Sequence, residues 1–260
     1  MTLPHHQPIR ELMVSPDAGQ QLRAGAERLL AWDLTAAQLA ELELLTSGAF
    51  FPLRGFLTQA DCDSVAEGMR LTSGALWPVP VVLDVAAEFA DRVEPGEDIA
   101  LRGPQGAVLA ILSVTDKWRP EGGGPPAVSG ESSQPGATFG VVRLGGPVKG
   151  LPAVGDAGHG PNGWRAHFRT QDCKRVLACD PADEVAAARL ADELGAVLLP
   201  LKIAPFHIGP RAALWQALVC RNHGATHLLL PADPATQALL RQYREEVGLV
   251  LVEPEDATGL

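Results

Sequence analysis

The sequence has few cysteines, few aromatic residues and no excess of positive charge. Four cysteines occur in 260 residues and no two form a CxxC pair, which disfavours a zinc site or disulfide framework and predicts four reduced, mostly buried thiols. Lysine and arginine number 21 against 31 aspartates and glutamates, so the formal net charge is −10. Because nucleic acids and anionic lipid surfaces repel such a chain at long range, neither is an expected partner.

Long hydrophobic runs and the common phosphate-binding motifs are also missing. No stretch approaches the roughly 18 apolar residues that a membrane span requires, and MTLPHHQPIREL lacks the layout of a signal peptide, so we expect a cytoplasmic location and no membrane partner. Neither GxGxxG nor GxxxxGK[ST] follows a strand-like segment, and no GxSxG nucleophile elbow is present. The remaining composition, with 46% hydrophobic and 20% charged residues, is typical of a globular protein.

The hydrophobic pattern predicts a first domain over residues 1–160. A leucine repeat at helical spacing, with Asp33 or Thr35 as a cap, predicts a short helix that ends near Gly48. Later segments such as LWPVPVVLDV, AVLAILSVTD and FGVVRLGGPV are typical of short strands separated by turns. Residues 120–163 are rich in glycine, proline and serine and are interpreted as a connector. This domain is therefore expected to be mainly β.

The pattern changes over residues 161–260, where apolar strands alternate with amphipathic helices. Four strands, RVLAC, AVLLPLKI, THLLLPAD and LVLVE, are separated by three helices, which implies a parallel sheet and an α/β fold class overall. The first of these helices is expected to start with Asp180 as its N-cap and to stop at Gly195. Asp180 as a catalytic carboxylate is the alternative interpretation. Trp215 is assigned to the core face of the next helix.

Ligands of open α/β sheets bind at the carboxyl ends of the strands. The segment APFHIGPR follows the second predicted strand and is the strongest candidate for a binding loop. Gly209 and Pro210 open a helix whose N–H groups and positive dipole end suit an anion, and Arg211 adds a forked donor for phosphate or sulfate. His207 stands in the same loop and is a further candidate for ligand contact. The alternative is a proline-initiated helix with a solvated arginine. His223 and His227 are separated by Gly224, so no shared metal site is expected there.

Several segments resemble one enzyme family. The stretch SGAFFPLRGFLTQADCDSVAEGMRLTSGALWPVPVVLDV (47–85) is similar to the N-terminal domain of ATP sulfurylase, sulfate adenylyltransferase, and RLGGPVKGL (143–151) resembles the exit segment of that domain. Further on, GPRAALWQALVCRNHGATHLLLPAD (209–233) resembles the family pattern GPREALWHAxxRKNxGxTHFxVGRD. The resemblance implies a PUA-like N-terminal domain followed by a Rossmann-like nucleotidyltransferase domain that joins ATP and sulfate into adenylyl sulfate and pyrophosphate.

The family's catalytic motif QTRNPxHxxH has no counterpart in this chain. The segment that follows RVLAC is DPADEVAAAR, so Asp183 and Glu184 stand where the family places donors to sulfate and phosphate. Only about 25 residues separate Ala178 from Lys202, which indicates a deletion in the second domain. From the second half of the family site, the residues that remain are Gly209, Pro210, Arg211, Asn222, His227 and Asp233.

Three hypotheses for function follow from these patterns. The first is a shortened, catalytically defective ATP sulfurylase relative that acts as a binding or partner subunit, as a homo-oligomer or with a sulfurylase-type protein. The second is an active transferase with a rearranged site, in which Gly209, Pro210, Arg211, Asp233 and His207 hold ATP, adenylyl sulfate or another oxyanion; the sequence identifies no cofactor beyond ATP or adenylyl sulfate as a ligand. The third, RNA binding by the PUA-like domain, is disfavoured because residues 1–159 carry 11 basic and 19 acidic residues.

Overall fold

The computed structural model describes residues 4–120, 141–152, 160–201, 203, 209–231 and 233–253. The chain forms two compact units. The N-terminal unit comprises Arg10–Ala157, and the C-terminal unit comprises Met1–Ile9 together with Gly158–Leu260. Most of the predicted connector lies outside the described residues. Within the described ranges, no helix is long and apolar enough to cross a membrane.

The N-terminal unit is built around a seven-stranded sheet, which confirms the expected mainly β character. The strands are Leu30–Asp33 (β1), Gly55–Phe56 (β2), Leu83–Ala86 (β3), Asp98–Arg102 (β4), Val108–Ser113 (β5), Asp116–Trp118 (β6) and Val141–Gly150 (β7). Strand β7 is the centre of the sheet, because it pairs antiparallel with β2, β3, β5 and β6, while β4 pairs with β5 and with the parallel strand β1. The helices are Pro16–Ala26 (α1), Ala36–Thr46 (α2), Gln59–Gly68 (α3) and Ala87–Ala90 (α4).

The start of α2 shows how the local sequence selects this structure. Thr35 and Gln38 form a capping box, in which each side chain accepts a hydrogen bond from the backbone N–H of the other. The leucine repeat then buries Leu42 and Leu45 against the sheet unit. The helix ends at Thr46, two residues before Gly48, so the predicted helix and the proposed Thr35 cap are confirmed.

Two glycines allow the strands to cross closely at β7. A Cβ atom on Gly146 would lie 2.0 Å from the Ser113 carbonyl oxygen, and one on Gly55 would lie 1.9 Å from the Gly146 carbonyl oxygen. Gly146 also has φ +149. Because neither carbonyl can move without breaking the sheet, only glycine fits these positions.

The C-terminal unit contains a four-stranded, wholly parallel sheet, which confirms the α/β prediction for the second half of the chain. The strands are Val176–Cys179 (β8), Val197–Pro200 (β9), His227–Leu229 (β10) and Val250–Val252 (β11). Their spatial order is β9, β8, β10, β11. The helices are Pro161–Thr170 (α5), Glu184–Leu194 (α6), Pro210–Asn222 (α7), Pro234–Gln242 (α8) and Arg244–Val247 (α9). Helix α5 was not predicted from the sequence.

The start of α6 differs from the prediction. Pro181–Asp183 forms a 3-10 turn, in which the Asp183 N–H donates to the Asp180 carbonyl at 2.9 Å, and the α-helix begins only at Glu184. Asp180 is therefore not the N-cap of the α-helix, because a tighter turn, common at helix N-termini, is inserted first. Gly195 ends α6 in the left-handed conformation with φ +58, as predicted.

The core predictions for the C-terminal unit are confirmed. Trp215 is 1% exposed, and Cys173, Cys179 and Cys220 are buried free thiols, as is Cys62 in the N-terminal unit. The last predicted helix is instead two pieces, α8 and α9, separated at Tyr243, whose backbone leaves the helical region at φ −101 and ψ 11.

Candidate functional site

The order of strands in the C-terminal unit creates a point where the direction of winding reverses. Strand β9 pairs with one edge of β8, and the next strand of the chain, β10, pairs with the other edge of β8. The carboxyl ends of β8 and β10 therefore flank a crevice, which is where ligands of open α/β sheets bind.

A cavity of about 110 Å³ lies at this end of the sheet. We refer to it as the switch-point cavity. It is smaller than the roughly 300–1,000 Å³ that is usual for pockets that enclose organic ligands. Its described lining residues are Cys179, Asp180, Asp183, Leu201, Ile203, Ala213, Gln216, Cys220, Leu228, Leu229, Leu230, Pro231 and Leu240.

Two thiols in the wall of the cavity are held in the neutral form. Burial raises the pKa of Cys179 to about 11, and the carboxylates of Glu184, Asp183 and Asp180 contribute to this shift. Burial likewise raises the pKa of Cys220 to about 12. Because the thiolate is the reactive form of cysteine, neither side chain is a nucleophile at neutral pH.

The described polar side chains of the cavity are neutral or acidic. They are the two thiols, the Gln216 amide and the carboxyl groups of Asp180 and Asp183; among the described lining residues there is no lysine, arginine or histidine. A carboxylate close to a phosphate or sulfate group repels it unless a cation lies between them.

The predicted anion site at the start of α7 has the expected backbone. Gly209 precedes the helix with φ +95, a conformation that favours glycine, and Pro210 occupies the first helical position. Arg211 is exposed and is not among the residues that line the switch-point cavity. His207 lies outside the described residues. Binding of an oxyanion by this group of residues remains a prediction.

Asp233, the other residue predicted to bind a ligand, caps helix α8. Its Oδ2 accepts hydrogen bonds from the Thr236 backbone N–H at 2.8 Å and from the Thr236 hydroxyl at 2.7 Å. These bonds hold the pKa of Asp233 below its usual value. The structure thus gives this carboxylate a structural role that the sequence analysis did not assign to it.

The two histidines near the end of α7 make different hydrogen bonds. His223 donates from Nδ1 to the Val219 carbonyl at 2.8 Å, whereas His227 Nδ1 lies 2.7 Å from the Thr226 hydroxyl. Gly224 follows the helix with φ +99. Across the described ranges, no cluster of three or more histidine, cysteine or acidic side chains is arranged to hold a metal ion.

The face of α7 that lines the cavity was not predicted from the sequence. Ala213, Gln216 and Cys220 lie at spacings of three and four residues, which places them on one side of the helix. This periodicity was visible in the sequence, but Cys220 was interpreted only as a buried thiol.

Comparisons with known proteins give the family context. A family model described as a PUA-like domain matches residues 2–123. The sulfate adenylyltransferase of Eremothecium gossypii is 30% identical, over 97% of this chain and 65% of the relative. That of Symbiobacterium thermophilum is 30% identical, over 89% of this chain and 73% of the relative. The solved structure titled hexameric APS kinase from Thiobacillus denitrificans has 26% identity and a TM-score of 0.73, covering 94% of this chain and 55% of that one.

The chain is shorter than these relatives, both overall and within the aligned region. It spans 65% and 58% of the lengths of the fungal enzymes from E. gossypii and Aspergillus fumigatus. The alignment with the E. gossypii enzyme covers 325 positions and includes 97% of the 260 residues of this chain, or about 252. About 70 aligned positions of the relative therefore have no counterpart here. With matched segments in both units and 30% identity over 73% of a bacterial relative, the chain belongs to the sulfate adenylyltransferase family.

Proposed function

We propose that this chain is a catalytically defective member of the family that serves as a binding or partner subunit in cytoplasmic sulfate activation. The observation that carries the proposal is the turn after β8. Where the family motif would supply donors to ATP and sulfate, the chain has the 3-10 turn Pro181–Asp183 and then the exposed Glu184.

Electrostatics supports the loss of the family reaction. Joining sulfate to the α-phosphate of ATP brings two anions together, and catalysis requires cationic and hydrogen-bond donors preorganised around them. The switch-point cavity instead presents Asp180 and Asp183. If each missing donor lowers the rate about 10²- to 10³-fold, loss of four or more removes useful catalysis by this mechanism.

A role in binding is consistent with what the chain retains. The parallel sheet and the start of α7 at Gly209 are intact, and the α7 N-terminus is the part of the unit best suited to an oxyanion. Adenylyl sulfate or ATP is the ligand class that the family implies. The similarity to a hexameric APS kinase favours assembly, with itself or with a sulfurylase-type partner, as the setting for this role.

An active transferase with a rearranged site is the second candidate. It is favoured by the surviving Gly209–Pro210–Arg211 helix start, which offers N–H groups and a guanidinium to a phosphate or sulfate. In this alternative, Asp233 and His207 complete the site.

The experiment is an assay of pyrophosphate release, with the purified chain at high concentration and a full-length sulfate adenylyltransferase as the positive control. The proposal expects no sulfate-dependent release from ATP. Sulfate-dependent turnover at an enzyme-like rate, abolished by Arg211→Met, would instead establish the second candidate.

Binding is then measured separately from catalysis. Calorimetry with ATP, adenylyl sulfate, sulfate and phosphate, in the native chain and in Arg211→Met, tests for a residual site. Purification with a co-expressed full-length sulfurylase tests for the partner role. Failure of both measurements would leave the chain with neither proposed activity and would refute the binding-subunit proposal.

A further inference from the structure

Residues 4–9 occupy a defined site on the C-terminal unit. The segment Pro4–Ile9, which we call the N-terminal arm, packs against helix α5 and the turn that follows α7. His5 is 0% exposed, and its ring contacts the Phe168 ring at a centroid distance of 5.9 Å. Its Nδ1 donates to the Gly224 carbonyl at 3.2 Å. The arm is therefore anchored in the core of this unit.

The site binds the arm mainly through the main chain of the arm. Arg169 donates to the His5 carbonyl at 2.8 Å, and Arg165 donates to the Gln7 carbonyl at 2.7 Å. Asn162 makes a pair of bonds with Ile9, accepting from its N–H at 2.8 Å and donating to its carbonyl at 2.9 Å. This pattern of main-chain recognition with one buried anchor side chain is that of a peptide-binding site.

Arg165 fixes the geometry of the site. It is 6% exposed, and besides Gln7 it binds the last carbonyls of α7, those of Asn222 at 2.6 Å and Arg221 at 3.1 Å. A guanidinium at this position is favoured by the negative end of the helix dipole. One side chain thus holds both the end of α7 and the middle of the arm.

The connection between the arm and the rest of the chain is short. Ile9 is the last residue of the arm, and the chain enters the N-terminal unit at the next residue. Leu12 is already fixed there, by its N–H to the Thr46 carbonyl and by its carbonyl to the Gly150 N–H, both at 2.9 Å. Arg10 and Glu11, both exposed, lie between the two sets of contacts.

We propose that the arm-binding site is an interface between copies of this chain, in which the arm of one copy occupies the site of another. Every bond between the arm and its site can form between two chains as well as within one, so exchange retains these bonds. Short connections of this kind favour the exchange of a segment between copies. The expected product is a dimer with two reciprocally exchanged arms, formed in preference to the monomer as protein concentration rises.

Complementation between two full-length variants tests the exchange directly. One variant has a defective arm, His5→Gly with Ile9→Pro, which removes the buried ring and the N–H that Asn162 binds. The other has a defective site, Asn162→Ala with Arg169→Ala, at a half-buried and an exposed position. Neither should self-associate in sedimentation velocity experiments, whereas an equimolar mixture should form a 1:1 heterodimer through the one intact arm and the one intact site.

Variants with a longer or a shorter connection provide an independent test of the exchange. Insertion of six Gly/Ser residues between Arg10 and Glu11 relaxes closure within one chain and should shift the native protein towards monomer at least about tenfold. Deletion of Arg10 should shift it towards dimer. Any of three results would overturn the proposal. The native chain could stay monomeric at all concentrations, its dimer could be insensitive to the length of the connection, or the mixture of variants could form no heterodimer.

Discussion

Asp84 and Arg143 face each other across the antiparallel strands β3 and β7, and Arg143 Nε donates a hydrogen bond to Asp84 Oδ1 at 3.1 Å. Their side chains are 30% and 12% exposed. Burial raises the pKa of Asp84 in spite of the arginine, whose charge opposes the shift. The Asp84 charge also acts on Glu41 of α2. Burial, and then the charge of Asp84, raise the pKa of Glu41 to about 8.

Replacement of Glu41 by glutamine should stabilise the protein at alkaline pH. In the folded chain Glu41 keeps its proton up to about pH 8, whereas in the unfolded chain it loses the proton near pH 4.5. The unfolded state therefore binds fewer protons in this interval, and stability falls as the pH rises through it. We expect Glu41→Gln to match the native chain near pH 4 and to exceed it by about 1–3 kcal/mol at pH 8 in urea unfolding.

A suitable control for this measurement is Glu43→Gln, at an exposed position on the same helix. This variant should show no comparable dependence on pH. An advantage of Glu41→Gln that is the same at pH 4 and pH 8 would contradict the assignment, because it would come from packing rather than from titration.

Buried and half-buried histidines in the C-terminal unit should produce the opposite dependence on pH. Burial is the main cause that lowers the pKa of His5, His223 and His227. The unfolded chain takes up protons at these side chains below about pH 6.5 while the folded chain does not, so stability should fall as the pH drops from 7 to 5. The slope is best measured in the Glu41→Gln background, where the opposing contribution is absent.

The variant His223→Gln should reduce this slope, because it removes one of the three titrating groups. His167→Gln, at an exposed position of α5, should leave the slope unchanged. Equal slopes in the native chain and in His223→Gln would show that His223 does not resist protonation in the folded protein.

Local sequence signals predicted most of the fold, because each has a short-range physical cause. Thr35 with Gln38, Pro210 after Gly209, and Gly195 define helix ends through bonds made within a few residues. The 3-10 turn after Asp180 was missed because a proline followed by acidic residues suits a tight turn as well as a helix start.

The features of the site that depend on distant contacts were not predictable in this way. Docking of the arm joins His5 to Gly224 across 219 positions, and the pairing of β8 with β10 decides which loops meet at the switch-point cavity. Neither leaves a periodic signal in the sequence. The oxyanion role of Arg211 remains a prediction, since it depends on loop residues outside the described part of the chain.

Replacement of the carboxylates of Asp180 and Asp183 by amides should make the Cys179 thiol more reactive. The carboxylates of Asp180 and Asp183 reinforce the effect of burial on its pKa, so Asp180→Asn with Asp183→Asn should lower that pKa and increase the thiolate fraction. We expect alkylation by iodoacetamide at pH 8.5, followed by mass spectrometry of the Cys179 peptide, to accelerate roughly 2- to 10-fold. The control Asp192→Asn with Glu193→Gln, at exposed positions farther along α6, should leave the rate unchanged; equal acceleration by both pairs would exclude a local effect.

Alanine substitutions of two glycines at the ends of helices in the C-terminal unit distinguish the stability cost of backbone strain from the cost of disturbing the packing of the arm. Both have positive φ, +58 at Gly195 and +99 at Gly224, so alanine at either position should cost about 1–2 kcal/mol of stability. A Cβ at Gly195 meets nothing within 4 Å, whereas one at Gly224 would lie 3.0 Å from the His5 Cβ and 3.2 Å from the Arg165 Cγ. Gly224→Ala should therefore cost about 1–3 kcal/mol more than Gly195→Ala in urea unfolding. It should also expose the arm, measured as faster amide hydrogen exchange over residues 4–9. Equal losses of stability in the two variants, with unchanged exchange in the arm, would mean that the arm does not depend on close contact with Gly224.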